Sequence, residues 1–188
     1  METVHTLEHA GCTIKIVHDE FAENPIADYE DFIKVVAWQR NYSIGNCDDF
    51  KDPDAFEDYC KANRVTRLPL YAYVHSGITV NTTGFHCPWD SGQVGWVFVD
   101  HAEARSWMQW SRVTAKRRRS LLGQLVDTVT LLDNYLIGNN YGYQVYHNGE
   151  EVDSCWGYTC DPDGYILDDA KSAAERVPFV QLPLKEVA

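Results

Sequence analysis

The sequence has no long hydrophobic run. No apolar stretch approaches the roughly eighteen residues that a membrane-spanning helix needs. The first residues, Met1–His5, combine neither the basic charge nor the apolar core that signal peptides have. We therefore expect a protein that does not engage a membrane and that stays in the cytoplasm where it is made.

Cysteine is scarce, and the common cofactor motifs are missing. Six cysteines in 188 residues are too few for a disulfide-built scaffold, so we expect free thiols, most of them small buried side chains. The phosphate-loop, dinucleotide-binding, zinc-protease and nucleophile-elbow motifs do not occur in the chain. The sequence therefore predicts no cofactor.

The chain also lacks internal repeats and any linker rich in Pro, Gly and Ser. Apolar residues make up 45% of the chain and aromatic residues 13%, which is too much apolar surface for a disordered polypeptide. We expect one folded domain over residues 1–188.

Local patterns predict hairpins and helices. Hairpin turns are indicated at Ala10-Gly11, at Ser76-Gly77 and most clearly at Asn148-Gly149. Asp52-Pro53 is typical of a helix start, and apolar residues at three- and four-residue spacing predict a long amphipathic helix over 114–136. Because the strands come as adjacent hairpins, we expect an α+β fold: a mostly antiparallel sheet packed against that long helix and shorter helices.

Further elements follow from shorter signals. The sequence predicts a buried strand or, as the alternative, a helix within 32–38. It also predicts a strand starting at Leu70, a loop over 88–95 that leads into a strand at Val94, and a short helix near 167–176.

The negative charge is unevenly placed. The net charge is −12, and two segments, 18–63 and 150–175, hold 20 of the 28 carboxylates. Such a field opposes binding to nucleic acid and to anionic lipid, and it favours a protein partner with a basic surface.

One short segment has the opposite sign. Arg112 and Lys116–Arg119 place five of the sixteen cations within eight residues, at the start of the long helix. Cations at this end oppose the helix dipole. The group either contacts an acidic partner or the acidic face of a second copy in a homodimer, or it is a solvated helix start balanced by nearby acids.

The densest cluster of reactive residue types surrounds Cys87. A cysteine nucleophile needs a base and a group that orients the base, and His75 or His86 together with Asp90 supply both. The alternative is that Cys87 and the tryptophans of this segment are core residues and that His75 begins a hairpin turn. No family-specific nucleophile signature accompanies the cluster, so the sequence assigns no catalytic residue.

Two other readings concern the remaining cysteines. Zinc could draw on His75, His86, Cys87, Cys155 and Cys160, but Cys155 and Cys160 form only one loosely spaced pair. We therefore predict no metal site. The segment Asp153–Gly157 either lines a pocket through Asp153 and Trp156 or ends a strand packed on the core.

Several longer motifs belong together. They are Trp38-Gln39-Arg40-Asn41-Tyr42-x-x-Gly45, Leu68-Pro69-Leu70-Tyr71, His75-Ser76-Gly77, Cys87-Pro88-Trp89-Asp90-Ser91-Gly92-Gln93-Val94-Gly95, Asp133-x-Tyr135-Leu136-x-Gly138 with Tyr141-Gly142, and Asp153-Ser154-Cys155-Trp156-Gly157. In this combination, over residues 19–169, the chain resembles a family of small uncharacterised proteins carried by phages, prophages and plasmids. The resemblance brings no assigned activity and no functional residues.

The resemblance implies a setting in which small acidic proteins occupy host machinery. We expect a binding protein that inhibits a host defence of the CRISPR or restriction type in the host cytoplasm, with an acidic surface that imitates DNA. The alternatives are a small enzyme using Cys87 and an accessory role in phage replication. The expected binding residues are Asp48, Asp49, Asp52, Asp54, Glu57, Asp58, Trp89, Asp90, Gln93, Asp153 and Trp156.

Overall fold

The structure is a computed structural model that describes residues 2–27 and 32–180. Within this part of the chain there are eight strands and four helices. In chain order they are β1 (Thr3–His9), β2 (Cys12–His18), β3 (Lys34–Ala37), α1 (Pro53–Ala62), β4 (Val65–Val74), β5 (Ile78–Asn81), β6 (Ser91–Asp100), α2 (His101–Trp107), α3 (Ala115–Leu136), β7 (Asn140–His147), β8 (Glu150–Thr159) and α4 (Tyr165–Val180).

The strands form two antiparallel sheets in two compact units. Unit 1 comprises Met1–Glu23 and Gly138–Ala188, and its sheet has the order β1-β2-β7-β8. Unit 2 comprises Asn24–Ile137, and its sheet has the order β3-β6-β4-β5. The single domain expected from the sequence stays a prediction, because two compact units can still fold as one cooperative domain.

In unit 1, two tight turns fix the hairpins. Ala10 and Gly11 both have positive φ, as do Asn148 and Gly149, which is the backbone of the two-residue turns that match strand twist. Helix α4 packs on one sheet face through residues such as Ile166. The core between them contains Cys12, Ile14, Ile16, Tyr141, Tyr143, Val145, Cys160, Ile166, Ala170, Ala173, Ala174 and Val177.

In unit 2, the sheet is covered on both faces. Helix α3 buries Leu121, Leu125, Val129 and Leu132 in one cluster with alternate strand residues. The intervening strand residues point the other way: Phe98 packs against Phe56 of α1, with ring centroids 4.9 Å apart. Each face therefore has its own core.

Two glycines allow the chain to approach β3 closely. A Cβ atom on Gly95 of β6 would lie 2.8 Å from Ala37 Cα and 2.9 Å from the Val36 carbonyl carbon, and one on Gly45 would lie 2.7 Å from the Val35 carbonyl oxygen. These separations are too short for any side chain, so both positions require glycine.

The fold class and the antiparallel pairing expected from the sequence are confirmed. The expected arrangement of one sheet packed against one long helix is not confirmed. The described residues form two sheets, and a second helix, α4, packs on the sheet of unit 1. Three boundaries were wrong: β4 begins at Val65, β6 begins at Ser91 within the expected loop, and the last helix spans Tyr165–Val180. No helix in the described residues is both long and apolar enough to cross a membrane.

Candidate functional site

The segment around Cys87 forms a turn between β5 and β6. The Ser91 hydroxyl donates to the Cys87 carbonyl oxygen, which closes the turn, and the Val74 N–H donates to the Asp90 carbonyl oxygen at 2.8 Å. These bonds hold the side chain of Asp90 near the end of β4, where His75 follows.

Asp90 lies between the thiol and one imidazole. Its Oδ2 is 3.8 Å from Cys87 Sγ and 3.6 Å from His75 Nδ1. The imidazole of His75 stacks on Tyr73, and in the described part of the chain no imidazole lies within hydrogen-bond distance of the thiol. The order is thiol, carboxylate, imidazole, whereas a cysteine nucleophile requires the imidazole next to the thiol.

Two cavities border this turn. One of about 350 Å³ is lined by His75 and the start of β5, and one of about 670 Å³ is lined by His86 and Pro88. Cys87 lines neither of these two cavities. Trp89 is 91% exposed, so it contributes little to the core.

The remaining residues of the Cys87–Gly95 motif and of the zinc hypothesis do not form a site together. Gln93 is exposed, and its Nε2 donates to the Gly95 carbonyl oxygen at 3.1 Å. Cys155 is exposed and Cys160 is buried. Across residues 2–27 and 32–180, no group of three or more His, Cys, Asp or Glu side chains is arranged to hold a metal ion.

The expected acidic site at the start of α1 divides into paired and unpaired carboxylates. Glu57 accepts two hydrogen bonds from Arg67, at 2.6 and 3.0 Å, and this contact holds the pKa of Glu57 below its usual value. Asp58 lies 2.7 Å from Lys61 Nζ, and Asp52 accepts from the Ala55 N–H and caps the helix. These three therefore have local structural partners.

Three of those carboxylates have no cationic partner among the described residues. Asp48, Asp49 and Asp54 are exposed, and Asp49 accepts a weak bond from the Cys47 thiol at 3.6 Å. This half of the expected site remains open to a partner, and its role in binding stays a prediction.

Trp156 and Asp153 lie on β8. Part of the Trp156 ring rests on Gly142 of the neighbouring strand, where a Cβ would come within 2.6 Å of Cδ2, and 38% of the residue is exposed. Asp153 is half-buried opposite Val145. The motif thus combines local packing with an accessible aromatic surface.

A cationic cavity was missed by sequence reasoning. It has a volume of about 500 Å³ and is lined by Arg64, His101, Arg105 and Arg112, among others. Only Arg112 belongs to the basic group seen in the sequence. Arg64 and Arg105 are single arginines with no motif around them, so no sequence signal could have brought them together.

Comparison with known proteins finds no matching family model, no matching curated protein and no matching solved structure.

Proposed function

We propose that the protein is a binding protein that contacts a cationic protein partner through the carboxylates of unit 1. The observation that supports this proposal is the division of charge between the units. Residues 1–23 and 138–188 carry fourteen carboxylates against four lysines and arginines, whereas residues 24–137 carry fourteen against twelve. The negative field therefore comes almost entirely from unit 1.

The carboxylates of the segment from Glu150 to Glu175 are accessible and are not neutralised by local cations. Within the described residues, their ion-pair partners are histidines: His5 Nε2 lies 2.7 Å from Asp163, and His9 Nε2 lies 2.9 Å from Glu175. Neither Lys171 nor Arg176, on α4, forms an ion pair with this segment among those residues. A basic partner would therefore meet negative charge that no local lysine or arginine among the described residues offsets by an ion pair.

Aromatic side chains accompany this charge. Tyr165 at the start of α4 is 53% exposed and its ring centroid is 5.5 Å from that of Tyr158, whose hydroxyl donates to Asp169 at 3.0 Å. Exposed aromatic groups within a charged surface are typical anchors of protein interfaces. This combination favours a specific protein interface over a surface that serves only solubility.

The more specific proposal is inhibition of a host defence of the CRISPR or restriction type. It rests on the resemblance to phage and plasmid proteins together with the acidic surface. In this role the carboxylates of unit 1 would occupy positions that DNA phosphates take on a basic protein groove, as in a DNA mimic.

The test compares two variants with equal changes in net charge. The unit 1 variant replaces Glu150, Asp161, Asp163 and Asp168 with the corresponding amides. The unit 2 variant makes the same change at Asp127 and at the three open carboxylates of the expected acidic site, Asp48, Asp49 and Asp54. Phage plating is measured in cells that carry a CRISPR or restriction system and express each protein. We expect the wild type to raise plating and the unit 1 variant to lose most of this effect. The unit 2 variant should lose less of it, because unit 1 carries most of the net charge.

Two results contradict the proposal. If wild type protects phage in none of the defence systems tested, the inhibitor role fails. If the unit 2 variant loses protection and the unit 1 variant keeps it, the binding surface lies on unit 2. A salt titration of a captured complex adds a second measure, because binding through exposed carboxylates weakens steeply as ionic strength rises.

The second candidate is an enzyme that uses Cys87. The observation in its favour is that Cys87 and His75 both approach Asp90. Since the thiol contacts the carboxylate and not the imidazole, we expect Cys87→Ala to retain protection in the plating assay. Loss of protection in a folded Cys87→Ala variant would favour the enzyme instead.

A further inference from the structure

A concave site in unit 2 is lined by three arginines that form no ion pair with any carboxylate in the described part of the chain. Its cavity of about 500 Å³ lies between the end of α1, the start of α2 and the segment that precedes α3. Arg64 follows the end of α1, Arg105 lies in the last turn of α2, and Arg112 precedes α3; all three contribute to the lining.

The three arginines of this cavity differ from those cations of unit 2 that form ion pairs. Elsewhere in unit 2, Arg67 binds Glu57 at 2.6 Å and Lys34 Nζ lies 2.8 Å from Glu103. Among residues 2–27 and 32–180, no carboxylate lies within ion-pair distance of Arg64, Arg105 or Arg112. Three guanidinium groups are therefore left with their charge uncompensated at one cavity.

The single carboxylate in the lining is already engaged. Asp100 is 7% exposed, and its Oδ1 accepts the N–H of Ala102 at 2.6 Å and of Glu103 at 3.4 Å. Its Oδ2 accepts the Tyr59 hydroxyl at 3.1 Å. These bonds direct the carboxylate toward the start of α2, and it is not within ion-pair distance of any of the three arginines.

The imidazole in the lining reports the same positive field. Burial is the largest influence on His101 and lowers its pKa; Asp100 acts in the opposite direction, and Arg118, Arg64 and Arg105 lower the pKa further. Nε2 of His101 is 2.8 Å from the Thr66 hydroxyl, which fixes the ring. The site thus contains an oriented imidazole, with a lowered pKa, beside several cations.

We propose that this cavity binds a small phosphorylated molecule, with Arg64, Arg105 and Arg112 contacting its phosphate oxygens. The planar guanidinium group binds phosphate with two parallel hydrogen bonds. A lone carboxylate offers two oxygens, which is too few for three guanidinium groups, whereas a diphosphate or triphosphate offers enough. The cavity volume falls in the range of small-molecule sites.

A small ligand fits better than nucleic acid. The cations surround a cavity, whereas a bound strand requires an extended basic track. The net charge of −12 also repels a long polyanion more than a compact one. This site lies in unit 2 and does not rest on the proposed function of unit 1.

Isothermal titration calorimetry on the full-length protein at constant ionic strength tests the proposal. The probes are pyrophosphate, ATP and unphosphorylated adenosine. We expect saturable binding of pyrophosphate and ATP and none of adenosine. Arg105→Gln and Arg112→Gln should each weaken binding about tenfold or more, because each removes charge-assisted hydrogen bonds.

The matched control is Arg119→Gln, which removes the same charge from an exposed position of α3 outside the cavity lining. It should change the affinity less than twofold. Arg105→Lys keeps the charge but removes the planar guanidinium group that donates two parallel hydrogen bonds. We therefore expect a loss of affinity smaller than that of Arg105→Gln. Thermal melting checks that each variant folds, and Arg112, which lies outside helix and strand, provides a variant with little risk to the fold.

Four outcomes would overturn the proposal. They are the absence of saturable binding for both phosphorylated probes, an equal loss of affinity in Arg119→Gln and Arg112→Gln, binding of adenosine as tight as that of ATP, and tighter binding of a short single-stranded oligonucleotide without terminal phosphates. The last outcome would assign the cavity to nucleic acid.

Discussion

Gly95 provides a sharp test of how β3 is held in the sheet of unit 2. In Gly95→Ala, the new Cβ would lie 2.8 Å from Ala37 Cα, whereas carbon atoms in van der Waals contact are about 3.5 Å or more apart. The strands must therefore separate by at least about 0.7 Å at this point. The register pair Ala37–Gly95 and the bond from the Trp38 N–H to the Val94 carbonyl, 2.9 Å long, lie at the same place.

The cost combines two effects. Overpacking of a well-packed site typically costs about 1–3 kcal/mol, and each weakened backbone hydrogen bond adds about 1 kcal/mol. We expect Gly95→Ala to lower the free energy of unfolding by about 2–4 kcal/mol. Gly92→Ala is the matched control on the same strand, because its Cβ would meet no atom within 4 Å. It should change stability by less than about 1 kcal/mol.

Urea unfolding followed by tryptophan fluorescence measures both variants. Five of the six tryptophans lie in unit 2, so the signal reports mainly on the unit that contains Gly95. A value for Gly95→Ala within about 0.5 kcal/mol of Gly92→Ala would show that β3 does not approach β6 as closely as described, and the argument for glycine at this position would fail.

Three further predictions concern side chains flagged above. Gly142→Ala should displace the Trp156 ring, since the new Cβ would come within 2.6 Å of it; a red-shifted tryptophan emission would show the displacement and an unchanged spectrum would contradict it. Glu57→Gln should lower stability by at most about 1 kcal/mol, because the pair with Arg67 lies near the surface. Because the pKa of Glu57 is lowered in the folded protein, the loss of stability in Glu57→Gln should be fully present above the ordinary carboxyl pKa. It should shrink as the pH falls through the lowered pKa. A loss of stability that grows with acid would refute the pairing of Glu57 with Arg67. Asp52→Ala should cost about 1 kcal/mol through loss of the helix cap, whereas Asp52→Asn should preserve it. Equal melting temperatures for these two variants would exclude the capping role.

The parts of the fold that could be predicted depend on neighbouring residues. The Asn148-Gly149 turn, the helix caps at Asp52, Asp100 and Thr114, and the positive φ at Gly138 all follow from local conformational preferences. Each signal acts within about four residues and needs no knowledge of the rest of the chain.

The division into two sheets depends on pairing between distant segments. β2 pairs with β7 after the whole of unit 2 has intervened, and no local pattern specifies such a partner. The start of β4 was missed because Pro69 argues against a central strand. In the structure Pro69 pairs with Trp96 of β6 but lies beyond the reach of β5, which pairs only with residues 71–74. That part of β4 is therefore effectively an edge.

The candidate sites also differ in whether their residues are close together or far apart along the chain. The contact between Cys87 and Asp90 spans three residues and could be expected from the sequence. The cationic cavity assembles Arg64, Arg105 and Arg112 from three segments, and isolated arginines carry no signal of their own. Part of the Cys87–Gly95 motif also has a structural cause, since Gly95 is required by the approach of β3.

The two proposals use charges of opposite sign in different units, and this separates them experimentally. Arg112→Gln makes the net charge more negative, so through charge alone it should not weaken binding of a basic partner. If Arg112→Gln abolishes partner binding while the protein remains folded, occupancy of the cavity and partner binding are energetically coupled. In that case a phosphorylated ligand would regulate the binding function.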